Sequence, residues 1–299
     1  MQGAVGTGAL HNLTALSCSA VRMILFANLL ETAKCCGVEK IVCTSTTGIL
    51  EPGTPGRLAN EERLASPSQF KGPYKRSKFL SYLEVKKRTD TGWPIATTLP
   101  TAPIGPHDVR PTPTGMIVVA FLNGRIPLLA RTGLNFVDVR QCALGHLLSM
   151  ARGQSGERYL LGGINLWLRD FLKQVEPYGR YRTPCFRAPH WLSFLTACAS
   201  ETAGQLWPNW TPFVTRESVQ MSRDPHFSSN AKAENELGYF PTSAIDRAIH
   251  DAVEDFVARG LAPLAAGRFS SARARRRFFR TANRRGADPK MARASSRHS

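Results

Sequence analysis

Tyr74 and Lys78, which form a Y-x-x-x-K pair, are the residues whose types and spacing most directly predict chemistry. Residues i and i+4 of a helix lie on one face, so this phenol and this ammonium can share a pocket. A nearby cation favours the phenolate and lowers the pKa of a tyrosine, which is ordinarily about 10. Such a phenol can take a proton from an alcohol, or give one to a carbonyl, while hydride moves at the adjacent carbon. We therefore predict that Tyr74 is a general acid/base and that Lys78 tunes its pKa.

A run of hydroxyl side chains precedes this pair and ends a short β-branched segment. The segment Val38–Thr44 predicts a buried parallel strand, and it continues into Thr44-Ser45-Thr46-Thr47. Open α/β sheets bind ligands just outside the carboxyl ends of their strands. The hydroxyl of Thr46 is therefore predicted to hold a substrate oxygen as charge develops on it. A second Y-x-x-x-K pair, Tyr82 and Lys86, is rotated by about 80° on the same helix, which predicts a packing or surface role.

The elements needed to position these residues follow an alternating order of helices and strands. Gly37 is predicted to end the first helix, and Leu99–Pro106 is predicted to be a rigid turn after the second strand. The order predicts an α/β fold, a doubly wound parallel sheet with a small, mostly helical C-terminal lobe. Helices are predicted over 22–36, 74–88, 114–122, 141–151, 170–175, 191–203, 231–237 and 244–259, and strands over 38–44, 95–99, 135–139 and 158–161. The predicted divisions are 1–21 (unassigned), 22–165 (sheet domain), 166–260 (smaller lobe) and 261–299 (basic tail).

Charge and cysteine content exclude several other classes of protein. The net charge is +17, but residues 261–299 hold +10 of it, so this tail is predicted to be disordered and the rest of the chain is only mildly basic. The seven cysteines include no C-x-x-C pair, and the five histidines considered have no metal-ligand spacing, so no metal site is predicted. We find no apolar run long enough for a transmembrane helix and no secretory signal. A cytoplasmic protein without specific nucleic-acid recognition is the simplest interpretation.

Several segments together resemble one family. GVEKIVCTSTTGIL, GPYKRSKFLSYLEV, TAPIGPHDVRPTPTG, GERYLLGG and SSNAKAENELGYFP are similar to segments of the extended short-chain dehydrogenases/reductases, the NAD-dependent epimerase/dehydratase family. The resemblance covers about residues 22–260. It is strongest to the dihydroflavonol-4-reductase-like branch, and within it to the bacterial hopanoid-associated sugar epimerases.

The resemblance implies an enzyme in which residues 22–165 form a partial Rossmann-like domain that binds NAD or NADP and residues 166–260 form a substrate lobe. The catalytic set that it implies is Thr46, Tyr74 and Lys78, with cofactor contacts from Thr44, Tyr74, Lys78 and Pro100. It also implies a sugar-like or carbonyl substrate and a homodimer formed through the two long helices of the sheet domain.

The sequence departs from the family at its N-terminus. The family begins with a strand, a G-x-x-G-x-x-G motif and a helix, whereas only GAVGTG (3–8) is glycine-rich before Arg22. The resemblance therefore predicts an N-terminally truncated protein that lacks the usual phosphate cradle, which puts cofactor binding in question. Two alternatives stay open: a catalytically impaired remnant, and a protein that binds nucleic acid or anionic membranes through its arginine-rich tail.

Overall fold

The computed structural model describes residues 24–66, 68, 70, 73–185, 198, 219, 223–242 and 244–263. The helices are α1 (24–35), α2 (Pro73–Thr89), α3 (Pro113–Leu122), α4 (Val139–Arg152), α5 (Leu168–Val175), α6 (Ala231–Leu237) and α7 (Asp246–Ala258). The strands are β1 (Ile41–Thr44), β2 (Ile95–Pro100), β3 (Ala102–Ile104), β4 (Gly133–Asp138), β5 (Arg158–Leu161) and β6 (Ile164–Trp167), and short 3-10 helices span Thr47–Ile49 and Glu176–Tyr178. No helix in these ranges is long and apolar enough to span a membrane.

The first sheet is parallel and has the order β1-β2-β5. Residues 95–99 of β2, the central strand, are all buried, since helices cover the sheet on both sides. Ile95 and Leu99 pack on the side of α1 and α2, while Ala96 packs on the side of α4 and α6. Thr97 and Thr98 are buried together with the apolar residues, so this strand has no alternation of buried and exposed positions.

An aromatic and charged cluster joins helices α1 and α2 near their C-terminal ends. The ammonium of Lys34 lies 4.5 Å from the centre of the Trp93 ring, and the guanidinium of Arg88 lies 5.4 Å from it. Arg88 also forms a salt bridge with Glu31 at 3.1 Å. Helix α1 ends where Gly37 adopts a left-handed conformation (φ +70°), which is the predicted glycine cap.

The second sheet has the order β3-β4-β6, with β6 antiparallel to β4. Its apolar side packs against α3, α5 and α7, and the rings of Phe136 and Phe171 stack there with centroids 4.0 Å apart. The sequence predicts one parallel sheet and a turn over Leu99–Pro106. That prediction is wrong at Ala102–Ile104, which pair with β4 as a strand, because prolines obscured a segment only three residues long.

The other elements agree with prediction to within a few residues. Strand β1 begins at Ile41 rather than Val38, and β4 ends at Asp138 because Val139 already starts α4. Strand β6 was not predicted. The helix predicted over 191–203 lies outside the described residues except at position 198, and the domain boundaries stay predictions.

Side-chain amides connect the segment 226–230 to the second sheet. Asn165 accepts a hydrogen bond from the backbone N–H of Ser228 at 2.9 Å and donates one to its carbonyl at 3.0 Å. Asn135, which is buried, donates to the Asn165 side chain at 2.9 Å and accepts from the N–H of Gly163 at 2.7 Å. One amide thus makes the two bonds that a neighbouring strand would make.

The long loop between β1 and α2 is attached to the sheet by a buried carboxylate. Glu61 is only 4% exposed, and its Oε1 accepts a 2.7 Å hydrogen bond from the N–H of Leu160 on β5. Burial raises the pKa of Glu61, while the hydrogen bond from Leu160 and the charges of Lys232 and Arg158 oppose that effect. The loop is therefore fixed at its middle as well as at its ends.

Replacing Glu61 tests this attachment. Glu61→Ala should lower the free energy of unfolding by about 1–3 kcal/mol, because the buried N–H of Leu160 loses its acceptor. Glu61→Gln keeps an acceptor oxygen and should cost less. Because the folded-state pKa of Glu61 is raised, the wild type has extra stability at acidic pH that disappears as the pH rises through that pKa, and the glutamine variant lacks it. Urea unfolding from about pH 4 to about pH 8 should show the wild-type advantage over Glu61→Gln shrinking with pH; a constant difference would contradict it.

Candidate active site

The hydroxyl-bearing loop begins where β1 leaves the first sheet. Thr44 pairs with Thr98 of β2, and the N–H of Ser45 donates to the carbonyl of Thr98 at 2.9 Å. Thr46 follows in an extended conformation, and its Oγ1 accepts a 3.1 Å hydrogen bond from the N–H of Gly48, which caps the 3-10 helix. Pro100 closes β2 two residues beyond Thr98. The pairing therefore brings the loop of Thr46 and Pro100 to the same carboxyl edge.

Helix α2 begins beside this loop. Tyr74 lies in the first turn of the helix and Lys78 lies one turn further on; the structure describes the helical position of Tyr74 but not its side chain. A Cβ built at Gly48 would lie 3.7 Å from Cε of Lys75, so the start of α2 contacts the capped loop. Crossover geometry explains this arrangement, since the helix after a parallel strand starts at the strand's carboxyl edge.

Lys78 lies close to the end of β1. Burial raises the pKa of the Cys43 thiol to about 11, and the positive charge of Lys78 opposes part of that increase. Cys43, the penultimate residue of β1, faces the α1 and α2 side of the sheet. The ammonium of Lys78 therefore lies on this side, near the end of β1. Lys78 is half-buried and forms no hydrogen bond or salt bridge within the part of the chain that the structure describes.

A second polar group at this edge also lacks a partner. Oγ of Ser45 is buried and makes no hydrogen bond to any described residue. A buried hydroxyl without a partner is costly, and so is a half-buried cation without a carboxylate. Both groups are the kind that a bound ligand with hydroxyl and amide groups satisfies, so the residues at this edge fit the nicotinamide riboside end of a dinucleotide.

Thr44 turns to the opposite side of the sheet from Cys43. Its Oγ1 lies 3.1 Å from Nε2 of His146 on α4, and Nδ1 of His146 lies 2.8 Å from the carbonyl oxygen of Cys142. Sequence reasoning gave His146 no role. The contact between Thr44 and His146 joins residues 102 positions apart, and no local pattern predicts such a pairing.

The second Y-x-x-x-K pair has the packing role that its rotation predicts. Tyr82 is buried in the cluster under α2, and its hydroxyl is hydrogen-bonded by Arg158. Lys86 forms an exposed salt bridge with Asp90 at 2.7 Å. Neither side chain joins the edge that carries Thr46.

An arginine in the first turn of α4 connects this helix to α7. Arg140 forms salt bridges with the helix-capping Asp138 at 2.7 Å and with Asp251 of α7 at 2.6 Å. Asp251 also lies with His250 and Glu254 in a group whose ligand atoms are all within 4.8 Å of one another. Because the guanidinium of Arg140 already pairs with Asp251, we assign no metal to this group.

Two features of the sequence analysis lie outside the described residues: the glycine-rich segment 3–8 and the basic tail from residue 264 onward.

The chain is similar to one protein family and to several known proteins. The NAD dependent epimerase/dehydratase family matches residues 2–162, which is more than half of the chain. The chain belongs to this family. A putative dihydroflavonol 4-reductase from Synechocystis sp. is 35% identical over 238 residues, covering 78% of this chain and 68% of the relative. The sterol demethylase protein B of Methylococcus capsulatus is 28% identical, covering 78% and 71%. Among solved structures, that of gox2253 is 34% identical with a TM-score of 0.70, covering 83% of this chain and 75% of the other.

Membership in this family confirms the Rossmann-like α/β fold and the resemblance found in the sequence. It makes the chain an epimerase/dehydratase-family oxidoreductase whose family uses NAD or a related cofactor.

The effect of Lys78 on Cys43 can be measured through alkylation of the thiol. With its pKa near 11, Cys43 should react with iodoacetamide far more slowly than the exposed Cys35 and Cys36, because only about 1% of it is thiolate at about pH 9. Lys78→Met should slow Cys43 severalfold further, since the cation that favours its thiolate is gone. Arg76→Met removes an exposed charge two positions earlier in α2 and should leave the rate of Cys43 alkylation unchanged. Mass spectrometry of native protein measures the rates, with urea-unfolded protein as the reference; equal rates in wild type and Lys78→Met would place Lys78 elsewhere.

Proposed function

We propose that this chain interconverts a secondary alcohol and a carbonyl on a sugar-like or other cyclic substrate, using NAD or NADP. In the forward direction the alcohol loses its hydroxyl proton and the hydride of its carbinol carbon, and in the reverse direction the carbonyl regains both. When bound, the nicotinamide cofactor accepts or returns the hydride. The protein must therefore supply a proton acceptor, a donor for the substrate oxygen and a site that holds both reactants.

Three residues are assigned to these tasks. Tyr74 takes the hydroxyl proton from the alcohol, or returns it to the carbonyl oxygen. Lys78 favours the phenolate form of Tyr74 and holds ribose hydroxyls. Thr46 donates a hydrogen bond to the substrate oxygen; its own Oγ1 accepts from Gly48, so its hydroxyl hydrogen is available to a ligand.

The observation that carries this proposal is the position of Lys78. A half-buried ammonium without a carboxylate partner among the described residues lies near the end of β1, on the helix that begins beside Thr46. A lysine with a purely structural role would be expected to pair with an acid or to extend into solvent. The buried Ser45 hydroxyl, which lacks a partner at the same edge, also favours a ligand site.

Cofactor contacts are proposed for Thr44, Tyr74, Lys78 and Pro100, which serve the nicotinamide end. The described residues contain no glycine-rich turn between a strand and a helix, so the proposal assigns no residue to the pyrophosphate. The proposal does not choose between NAD and NADP, and both are therefore included in the binding test.

The names of the relatives support the proposed substrate class. The sequence relatives bear the names of a dihydroflavonol reductase and a sterol demethylase, and others are named sterol-4-alpha-carboxylate 3-dehydrogenases. A ring-bearing ketone or secondary alcohol fits these names. The narrower prediction of a hopanoid-associated sugar epimerase stays a prediction.

Cofactor binding and turnover separate the three roles. Titration of the full chain with NADH and with NADPH, followed by nicotinamide fluorescence, should saturate for at least one of them. Lys78→Met should raise the Kd about tenfold or more, because a charge-assisted hydrogen bond to ribose is lost. Tyr74→Phe should leave the Kd within about twofold yet lower turnover by about 100-fold or more, because only the proton transfer is removed. Thr46→Ser should retain activity that Thr46→Val loses.

Arg76→Met serves as the matched control for charge removal on α2 and should behave as the wild type does. The proposal is wrong if wild-type protein shows no saturable signal with either cofactor at millimolar concentration. It is also wrong if Lys78→Met and Arg76→Met weaken binding equally, because net charge rather than a site would then explain the effect.

A further inference from the structure

Thr44 and His146 form a short relay of hydrogen bonds on the α4 side of the first sheet. Oγ1 of Thr44 lies 3.1 Å from Nε2 of His146, and Nδ1 of the same ring lies 2.8 Å from the carbonyl oxygen of Cys142. Thr44 is exposed at the carboxyl end of β1, whereas His146 is half-buried between α4 and the strand. The relay thus leads from a backbone carbonyl inside α4 to a hydroxyl at the edge of the candidate site.

The chemistry of the three groups fixes the direction of both hydrogen bonds. A carbonyl oxygen can only accept, so Nδ1 of His146 must carry the hydrogen in the bond to Cys142. In a neutral imidazole the other nitrogen, Nε2, then has no hydrogen and acts as an acceptor. The hydroxyl of Thr44 must therefore donate its single hydrogen to Nε2. What Thr44 has left for a ligand is the lone-pair side of Oγ1.

Helix α4 holds the ring in this place by close contact with the sheet. A Cβ built at Gly145 would lie 2.6 Å from a methyl carbon of Leu161 on β5, so a larger residue there would have to displace the Leu161 side chain. Cys142 is buried in the same interface. The carbonyl that orients His146 therefore belongs to the part of α4 that packs against the sheet.

We infer that His146 is a positioning residue that makes the Thr44 hydroxyl a hydrogen-bond acceptor for a donor group of the bound cofactor, either a ribose hydroxyl or the carboxamide NH2. This inference rests on the proposed function, since it needs a dinucleotide at the end of β1. It adds a residue that touches neither substrate nor cofactor and acts only through Thr44. It also fixes the direction of the hydrogen bond to the ligand. Thr44 can only accept such a bond, so a ligand group that is itself only an acceptor forms none with it.

The tautomer of His146 can be tested without any ligand. In the full chain labelled with 15N-histidine, long-range 1H–15N spectra should show the His146 ring with its hydrogen on Nδ1, with the signal assigned by its loss in His146→Phe. Thr44→Val should shift the Nε2 resonance, because the hydroxyl hydrogen that it accepts is gone. A ring with hydrogen on Nε2, or no shift in Thr44→Val, overturns the relay.

Variants then test the effect of the relay on the cofactor, with NADH and NADPH as the probes. His146→Phe and Thr44→Val should each raise the Kd about 3- to 10-fold, the range for one hydrogen bond. The double variant should be no weaker than the worse single variant, because both changes remove one interaction. His146→Gln should recover part of the loss, since its amide oxygen can accept from Thr44, whereas Phe preserves only ring packing. Leu147→Gln, an exposed change on the next residue of α4, is the control and should bind as the wild type does.

Each outcome has a distinct meaning. Additive losses in the double variant, or a Phe variant that binds better than the Gln variant, overturn the positioning role while leaving the proposed function in place. Failure of the wild type to bind either cofactor overturns the proposed function and with it the ligand part of this inference, and the spectra still decide whether the relay exists.

Discussion

The parallel pairing of β1 with β2 is the constraint on which the candidate site depends. Two parallel neighbours cannot be joined by a hairpin, so the chain must return along a helix before the second strand begins. That helix, α2, starts at the carboxyl edge, and its first two turns therefore lie next to the loop that leaves β1. Residues that are 28 positions apart in sequence, Thr46 and Tyr74, reach the same edge through this geometry alone.

The end of β1 receives polar groups from both sides of the sheet. Side chains alternate along a strand. Cys43 therefore points toward α2, where the charge of Lys78 acts on its thiol, while Thr44 points toward α4 and is hydrogen-bonded to His146. The cation and the imidazole therefore never compete for one partner. A ligand that crosses the strand end would meet a donor on one side and an acceptor on the other, which orients an asymmetric group such as a nicotinamide riboside.

Local signals were enough to predict most of the fold. Glycine and proline marked the ends of α1 and α2, and the strand predicted over 95–99 agrees with β2. The signals failed where an element is short or where its partner is distant. Strand β3 is three residues long between prolines, and the sequence offers no sign that β6 pairs in the antiparallel direction.

The candidate site also contains both local contacts, which the sequence predicts, and contacts between distant elements, which it does not. The spacing of Tyr74 and Lys78 is local and could be predicted, because i and i+4 residues share a helix face. The pairing of Thr44 with His146 and that of Arg140 with Asp251 depend on how α4 crosses the sheet and meets α7. Sequence periodicity contains no information on such crossings, so these contacts emerge only from the folded chain.

The junction at Asn165 bears on how such a protein can diversify. The backbone of this segment is also hydrogen-bonded to Gly133, Gly53 and Ala59 through residues 226, 227 and 229, so the amide of Asn165 adds to these main-chain bonds at Ser228. All of these bonds hold peptide groups of the segment, so its partly exposed side chains can change without disturbing the ladder between β4 and β6. A scaffold anchored through peptide groups can acquire new specificities by substitution in the attached segment while the candidate edge of the first sheet is retained.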